Sequence, residues 1–303
     1  MRPQVLAASR VPGLGDRLAG PAFLVCALLS ASVAIVLLAV IGVETARFFS
    51  QVSPLEFFAR TRWAPLAETP NFGVLPLFAA TAQVAVGALC IAAPLGLLMA
   101  LYIAQYAGET VARGLNAIMG GLAGVPTVIL GYLALNLVTP ALRSLWAGVE
   151  AFNALSACIA VAAMLLPTVV VLSRDALARV PVPLMEAGLA LGAPRGRVVL
   201  RVQLPAAGAG MAAAVLMALA RAVGETMIVT LAAGNQAQLG WSPLEGLRTL
   251  TAYIAQASLG DTATGTLQYG SFFAVSAVLV AVSWGLRGLA GLVVARASGW
   301  RRP

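Results

Sequence analysis

Arg221 and Glu225 stand four residues apart in Arg221-Ala222-Val223-Gly224-Glu225-Thr226, directly after the uncharged run Val202–Ala220. On a continuous helix that spacing puts both side chains on one face, close enough to pair. Inside a bilayer each would cost about 2.5–3.5 kcal/mol if turned to lipid, so both are expected to face a bundle interior or a watery path. A guanidinium there offers fixed N–H donors to an anion, whereas an ionised carboxylate only accepts. Gly224 between them adds no side chain and leaves room for another group, and Thr226 adds a hydroxyl. These residues alone leave two readings open: the lining of an anion path, or an ion pair that fixes helix packing.

Residue types exclude most other chemistry. The chain has no His, which removes Ser–His–Asp triads, Cys–His dyads and H-E-x-x-H zinc sites. All 19 basic residues are Arg, so no Lys completes a phosphate-cradling G-x-x-x-x-G-K-[ST] loop. ATP-driven work would therefore need a separate ATPase subunit. Cys26, Cys90 and Cys158 lie in apolar runs without C-x-x-C spacing and read as small packing residues. The chain is expected to be no enzyme and to bind no metal or cofactor of its own.

The surrounding elements must hold these charges in lipid. Hydrophobic residues make up 60% of the 303 and charged residues 10%, with a mean hydropathy of +0.93; soluble chains run at about 45–50% and about 25%. Runs free of Asp, Glu and Arg cover Leu18–Val43, Thr69–Gly108, Gly114–Leu142, Ala151–Ser173, Val202–Ala220 and Thr262–Leu286. Each suffices for one crossing of about 20 residues. Thr69–Gly108 could hold two short spans, but Asn71, Pro76 and Gln83 leave its apolar core at 84–106. The expected fold is thus an all-α integral membrane protein with six transmembrane helices. Leu18–Val43 exceeds the signal-peptide core of about 7–15 residues, and no A-x-A site follows, so it reads as a permanent anchor.

The arginines set the expected orientation. With a cytoplasmic N-terminus, 13 lie inside and five outside (Arg47, Arg60, Arg62, Arg143 and Arg248), which satisfies the positive-inside rule and makes the C-terminus cytoplasmic too. The formal net charge of +8 is then largely a topology signal, and nucleic acid is not an expected partner. Asn235–Gln268 becomes a long outer segment. Within it, Ser242-Pro243-Leu244-Glu245 has the form of a capping box, followed by apolar residues at helical steps and Gly260 as a stop. A short amphipathic outer helix is expected there.

The longest inner loop, Arg174–Gln203, contains Glu186-Ala187-Gly188-Leu189-Ala190-Leu191-Gly192 and, nine residues later, Val202-Gln203-Leu204-Pro205. This reads as a short helix of small and apolar residues, a Gly break, a basic turn and a Pro opening the next membrane helix. Such a helix suits a partner's groove or the membrane surface, where arginines meet lipid phosphates.

The spacing resembles the E-A-A-x3-G-x9-I-x-L-P signature of permease subunits from bacterial binding-protein-dependent ABC importers, with Gly188 for the third residue and Val202 for Ile. That resemblance implies a type I ABC importer permease fold, with Glu186, Ala187, Gly188, Gly192, Leu204 and Pro205 in a loop that docks on a cytoplasmic ATPase. Arg221-Ala222-Val223-Gly224-Glu225-Thr226-Met227, running to Ala233-Gly234-Asn235, is similar to phosphate importer permeases. Leu122-Ala123-Gly124-Val125-Pro126-Thr127 and Leu250-Thr251-Ala252-Tyr253-Ile254-Ala255-Gln256 resemble the PstC-type subunit, whereas Ala218-Leu219-Ala220 is as close to the sister PstA type.

The resemblance spans roughly Leu75 to Arg296. It implies an arm, first helix and outer loop over 1–72, a permease domain over 73–296 and a basic tail over 297–303. It further implies a phosphate path carrying Arg221, Gly224, Glu225 and Thr226. The implied partners are a PstA-type permease, two PstB-type ATPase copies that use the ATP, a PstS-type extracytoplasmic binding protein and the lipid of the bacterial inner membrane. Another oxyanion (sulfate, molybdate or phosphonate) is the alternative substrate, and a stand-alone channel or secondary carrier the alternative class.

Overall fold

The computed structural model describes residues 14–260, 263 and 265–299. Arg2, Arg10, Arg301 and Arg302, counted among the inner charges, and Thr262 lie outside the described residues. The chain opens with α1 (Leu14–Phe49), α2 (Pro54–Ala59) and a short antiparallel pair, β1 (Trp63–Ala64) with β2 (Asn71–Phe72), in which Trp63 faces Phe72. There follow α3 (Leu75–Gln105), α4 (Glu109–Gly124), α5 (Thr127–Leu133), a π-helical turn at Ala134–Val138 and α6 (Thr139–Leu145). The rest is α7 (Ala154–Ala178), α8 (Val182–Ala190), α9 (Arg195–Val198), a second π-helical turn at Val199–Gln203, α10 (Leu204–Val223), α11 (Met227–Ala232), α12 (Leu250–Leu259) and α13 (Leu267–Gly299).

Six stretches among the described residues are long and apolar enough to cross a bilayer: Ala19–Phe49, Leu75–Gln105, Thr127–Leu145, Ala154–Ala178, Arg195–Val223 and Leu267–Arg296. The expected count holds. The α7 helix is the hub, with Val161, Leu165 and Val169 fully buried. Its neighbours come close because small residues face it: a Cβ on Gly96 of α3 would lie 2.7 Å from Val169, and one on Gly210 of α10 would lie 2.6 Å from Ala176. Lipid offers little hydrophobic drive between helices, so such close backbone approach supplies the packing. By contrast, α1 packs against α13 and is exposed from Gly20 to Val40, as a lipid-facing helix must be. At its far end Phe48, Phe57, Trp63, Phe72 and Tyr253 form an edge-to-face aromatic cluster that seats α2 and the β pair on α12.

Three boundaries differ from the sequence expectation. The run Gly114–Leu142 is not one helix: it breaks at Val125-Pro126, giving α4 and a separate span from Thr127. Pro126 has no N–H and holds Val125 extended (φ −69°, ψ 125°). The fifth membrane helix does not open at Pro205 either, because helical backbone already runs from Arg195. Pro205 cannot donate to the preceding turn, and the wider π-helical turn just before it absorbs the misfit.

The capping box at Ser242–Glu245 goes unused as well. Its backbone carbonyls instead satisfy the start of α7: Pro243 O accepts from Leu155 N at 2.8 Å, and Glu245 O from Ala154 N at 3.0 Å. The helix expected in this segment begins at Leu250, capped by Thr249, whose side chain accepts from Ala252 N at 3.1 Å, and it stops at Gly260 as expected.

Candidate functional site

The fifth span is a broken helix. Its first piece, α10, ends at Val223 with Gly224 as C-cap, and α11 resumes at Met227. Two contacts with α7 fix the depth of the break. Arg221 Nη1 donates to Thr168 Oγ1 at 3.0 Å, and Asn153 N, at the start of α7, donates to Ala232 O at 3.0 Å. At 1.5 Å per residue, Thr168 lies about 21 Å from Ala154 and about 15 Å from Ala178, near the middle of the crossing. Arg221 therefore sits against the middle of α7.

The expected Arg221–Glu225 pair does not form: among the described residues no carboxylate lies within 4.0 Å of Arg221. Four-residue spacing shares a face only on a continuous helix, and here the helix ends between the two. Glu225 instead closes the break. Its Oε1 accepts from Met227 N at 3.0 Å and Ile228 N at 3.1 Å, satisfying two N–H groups that α11 leaves without helical partners. It is buried at 9% exposure.

The freed carbonyl of Glu225 accepts from Thr251 Oγ1 at 2.6 Å, and Thr226 Oγ1 donates to Gly224 O at 3.4 Å. Thr249 and Thr251 share a hydrogen bond at 3.0 Å, and Leu250 N donates to Thr81 Oγ1 on α3 at 2.9 Å. Irregular backbone at membrane depth is tolerated only where it is buried in protein or lines water; here the Thr226 and Thr251 hydroxyls and the Glu225 carboxylate satisfy it.

Arg221 is thus left exposed, tied to one neutral hydroxyl. Gly224 is exposed beside it, and a Cβ there would meet nothing closer than 3.7 Å, so its open side faces away from this chain. A cavity of about 440 Å³, lined by Leu135, Thr139, Pro140, Arg143, Ser144 and Ala151, does not include Arg221. The arginine opens onto an uncovered face. Sequence reading missed Thr81, Thr168, Thr249 and Thr251; hydroxyls isolated in apolar stretches were the available signal.

A second set of residues lies at the other end of the chain's contacts. In α8 none of the side chains is buried; Glu186 and Ala187 are exposed, as are Val182, Leu184, Leu189 and Leu191. Gly188 faces inward, where a Cβ would come 3.1 Å from Val198 of α9. A Cβ at this position, Ala in the signature, would need Val198 to give by a few tenths of an ångström. Gly192 ends the helix at φ +76°, a left-handed conformation that side chains disfavour. Leu204 and Pro205 start α10 beyond the basic turn. Among the described residues nothing covers this apolar helix, and the turn after it is basic.

Residues 92–299 match the family described as binding-protein-dependent transport system inner membrane component. Over 261 residues the chain is 31% identical to "Probable ABC transporter permease protein YqgH" of Bacillus subtilis, covering 86% of this chain and 84% of that protein. It is 27% identical over 259 residues to "Phosphate transport system permease protein PstC" of Mesorhizobium japonicum, covering 79% and 78%. In fold it is similar to a chain of a bacterial alginate ABC transporter crystallised with its alginate-bound periplasmic protein, with a TM-score of 0.62 over 93% of this chain and 97% of that one, at 15% identity.

Proposed function

The chain belongs to the family of inner-membrane components of binding-protein-dependent transport systems, and from that premise we propose that it is the PstC-type permease subunit of a phosphate importer. It is a multi-pass inner-membrane ABC importer permease subunit, a non-catalytic class that works with an ATPase and a substrate-binding protein. The finer reading makes those partners a PstA-type sister permease, a PstB-type ATPase dimer and a PstS-type binding protein. The observation that carries it is Arg221: a mid-membrane arginine without a carboxylate partner, exposed at a helix break, in a stretch similar to phosphate permeases. The 27–30% identity to several phosphate permeases supports the same substrate.

In this reading residues 73–296 form the permease domain, 1–72 an added arm, helix and outer loop, and 297–303 a basic tail. ATP binding closes the ATPase dimer and draws the α8 loops together. The break around Arg221, Gly224, Glu225 and Thr226 then opens alternately to the two sides, half the path coming from this chain and half from its sister. No cofactor is assigned to the chain; ATP is bound by the partner.

Reconstituted with its partners, the importer is expected to take up phosphate in an ATP-dependent way that excess sulfate or molybdate does not compete. Competition by sulfate, with phosphate inert, would overturn the substrate. Orientation is tested separately. Reporters after Arg302 and within residues 236–240 are expected to be cytoplasmic and external respectively, and the reverse labelling at either would overturn the arginine-based topology.

A further inference from the structure

Among the described residues Arg248 is the one arginine that is partly buried without a carboxylate within 4.0 Å. Its Nε donates to Asn235 Oδ1, a neutral acceptor, and its two terminal nitrogens make no hydrogen bond to described residues. Burial pushes this guanidinium below its usual range, although it stays charged. A half-desolvated cation held by an amide alone is costly in a purely structural role. The same geometry is useful if an anion completes it.

Its place in the fold gives that anion a route. Leu247 N donates to Ala233 O at 2.8 Å, next to the Ala232 carbonyl that takes Asn153 N, so Arg248 sits level with the start of α7. Arg221 is about 21 Å deeper along that helix, at Thr168. The segment between is rigidly joined, since Thr251, three residues beyond Arg248, holds the Glu225 carbonyl at the break. Leu250 N and Ala252 N at the start of α12 are already taken by Thr81 and Thr249, so the charge offered to an anion at this mouth is that of Arg248. Asn235 is exposed, which keeps the guanidinium within reach of solvent.

We propose that Arg248, aimed by Asn235, is an outer anion-binding group that receives the oxyanion before it reaches Arg221. This rests on the reading of the chain as an oxyanion permease, with α12 on the external side. Asn235→Asp is the discriminating variant. It supplies the missing carboxylate, so it strengthens a structural tie while neutralising an anion site.

The test uses the whole importer in liposomes, in a form that transports without its binding protein, with inorganic phosphate as probe. Arg248→Gln and Asn235→Asp are each expected to raise the half-saturating external phosphate about tenfold, the loss of one charge-assisted contact, with maximal rate within about twofold. Unchanged half-saturation in Asn235→Asp would overturn the proposal. So would a fall in maximal rate alone in Arg248→Gln. If the wild-type importer carries sulfate or molybdate instead, the phosphate reading fails, and the same two variants test Arg248 with that oxyanion.

Discussion

Arg221→Gln is expected to lower oxyanion uptake by about 100-fold while the protein still inserts and assembles, because about 3 kcal/mol of stabilisation for a dehydrated anion disappears at mid-membrane. Gln can keep a hydrogen bond to Thr168 Oγ1, the one side-chain hydrogen bond of Arg221 among the described residues, so the fold loses little. The charge is what goes. Glu225 gives the opposite pattern. Glu225→Gln retains an oxygen to accept from Met227 and Ile228 N–H and is expected to transport within a few-fold of wild type, whereas Glu225→Ala removes a cap of about 1 kcal/mol. Its damage should appear first as reduced protein in the membrane. Uptake by a binding-protein-independent complex, normalised to assembled protein, reads both. Normal uptake in Arg221→Gln would make the arginine packing alone, and a rate collapse in Glu225→Gln at full assembly would show that the carboxylate's charge acts on the anion beyond capping α11.

The membrane architecture was legible because the bilayer imposes a strong rule: long uncharged runs must be helices, and six such runs gave six spans. What the rule does not encode is where a helix is interrupted. Pro126 broke one run, and Gly224-Glu225 separates α10 from α11 just beyond another. Residue types placed Arg221 at the end of a long apolar run, but its partner could not be read from i,i+4 spacing, which presumes an unbroken helix. The real partners of the break, Thr168 and Thr251, come from α7 and α12, and long-range hydroxyl contacts leave no local periodic trace. The capping box at Ser242–Glu245 failed for a related reason. Its carbonyls were needed by the start of α7, and a tertiary demand outweighed a local signal worth about 1 kcal/mol.

The inner loop makes the second large prediction. Gly192 sits at φ +76° with no atom within 4 Å of where a Cβ would be, so its constraint is conformational and not steric. Gly192→Asn, which tolerates that region, is expected to keep most transport. Gly192→Trp combines a left-handed strain of about 1–2 kcal/mol with a bulky ring beside Leu191, which is 88% exposed. If α8 lies in an ATPase groove, that ring blocks seating, and transport should fall at least about tenfold, the effect of one lost contact of 1.4 kcal/mol. Glu186→Lys should do the same by reversing a charge on the exposed face without touching the core of this chain. Both variants should insert normally and lose stimulation of the partner's ATPase by loaded binding protein, while Gly192→Asn retains it. A lipid-surface role for α8 gives a different result, because Lys at position 186 would then tighten the loop on anionic headgroups and leave coupling intact. Normal stimulation in both Gly192→Trp and Glu186→Lys would therefore move this loop from the ATPase to the membrane.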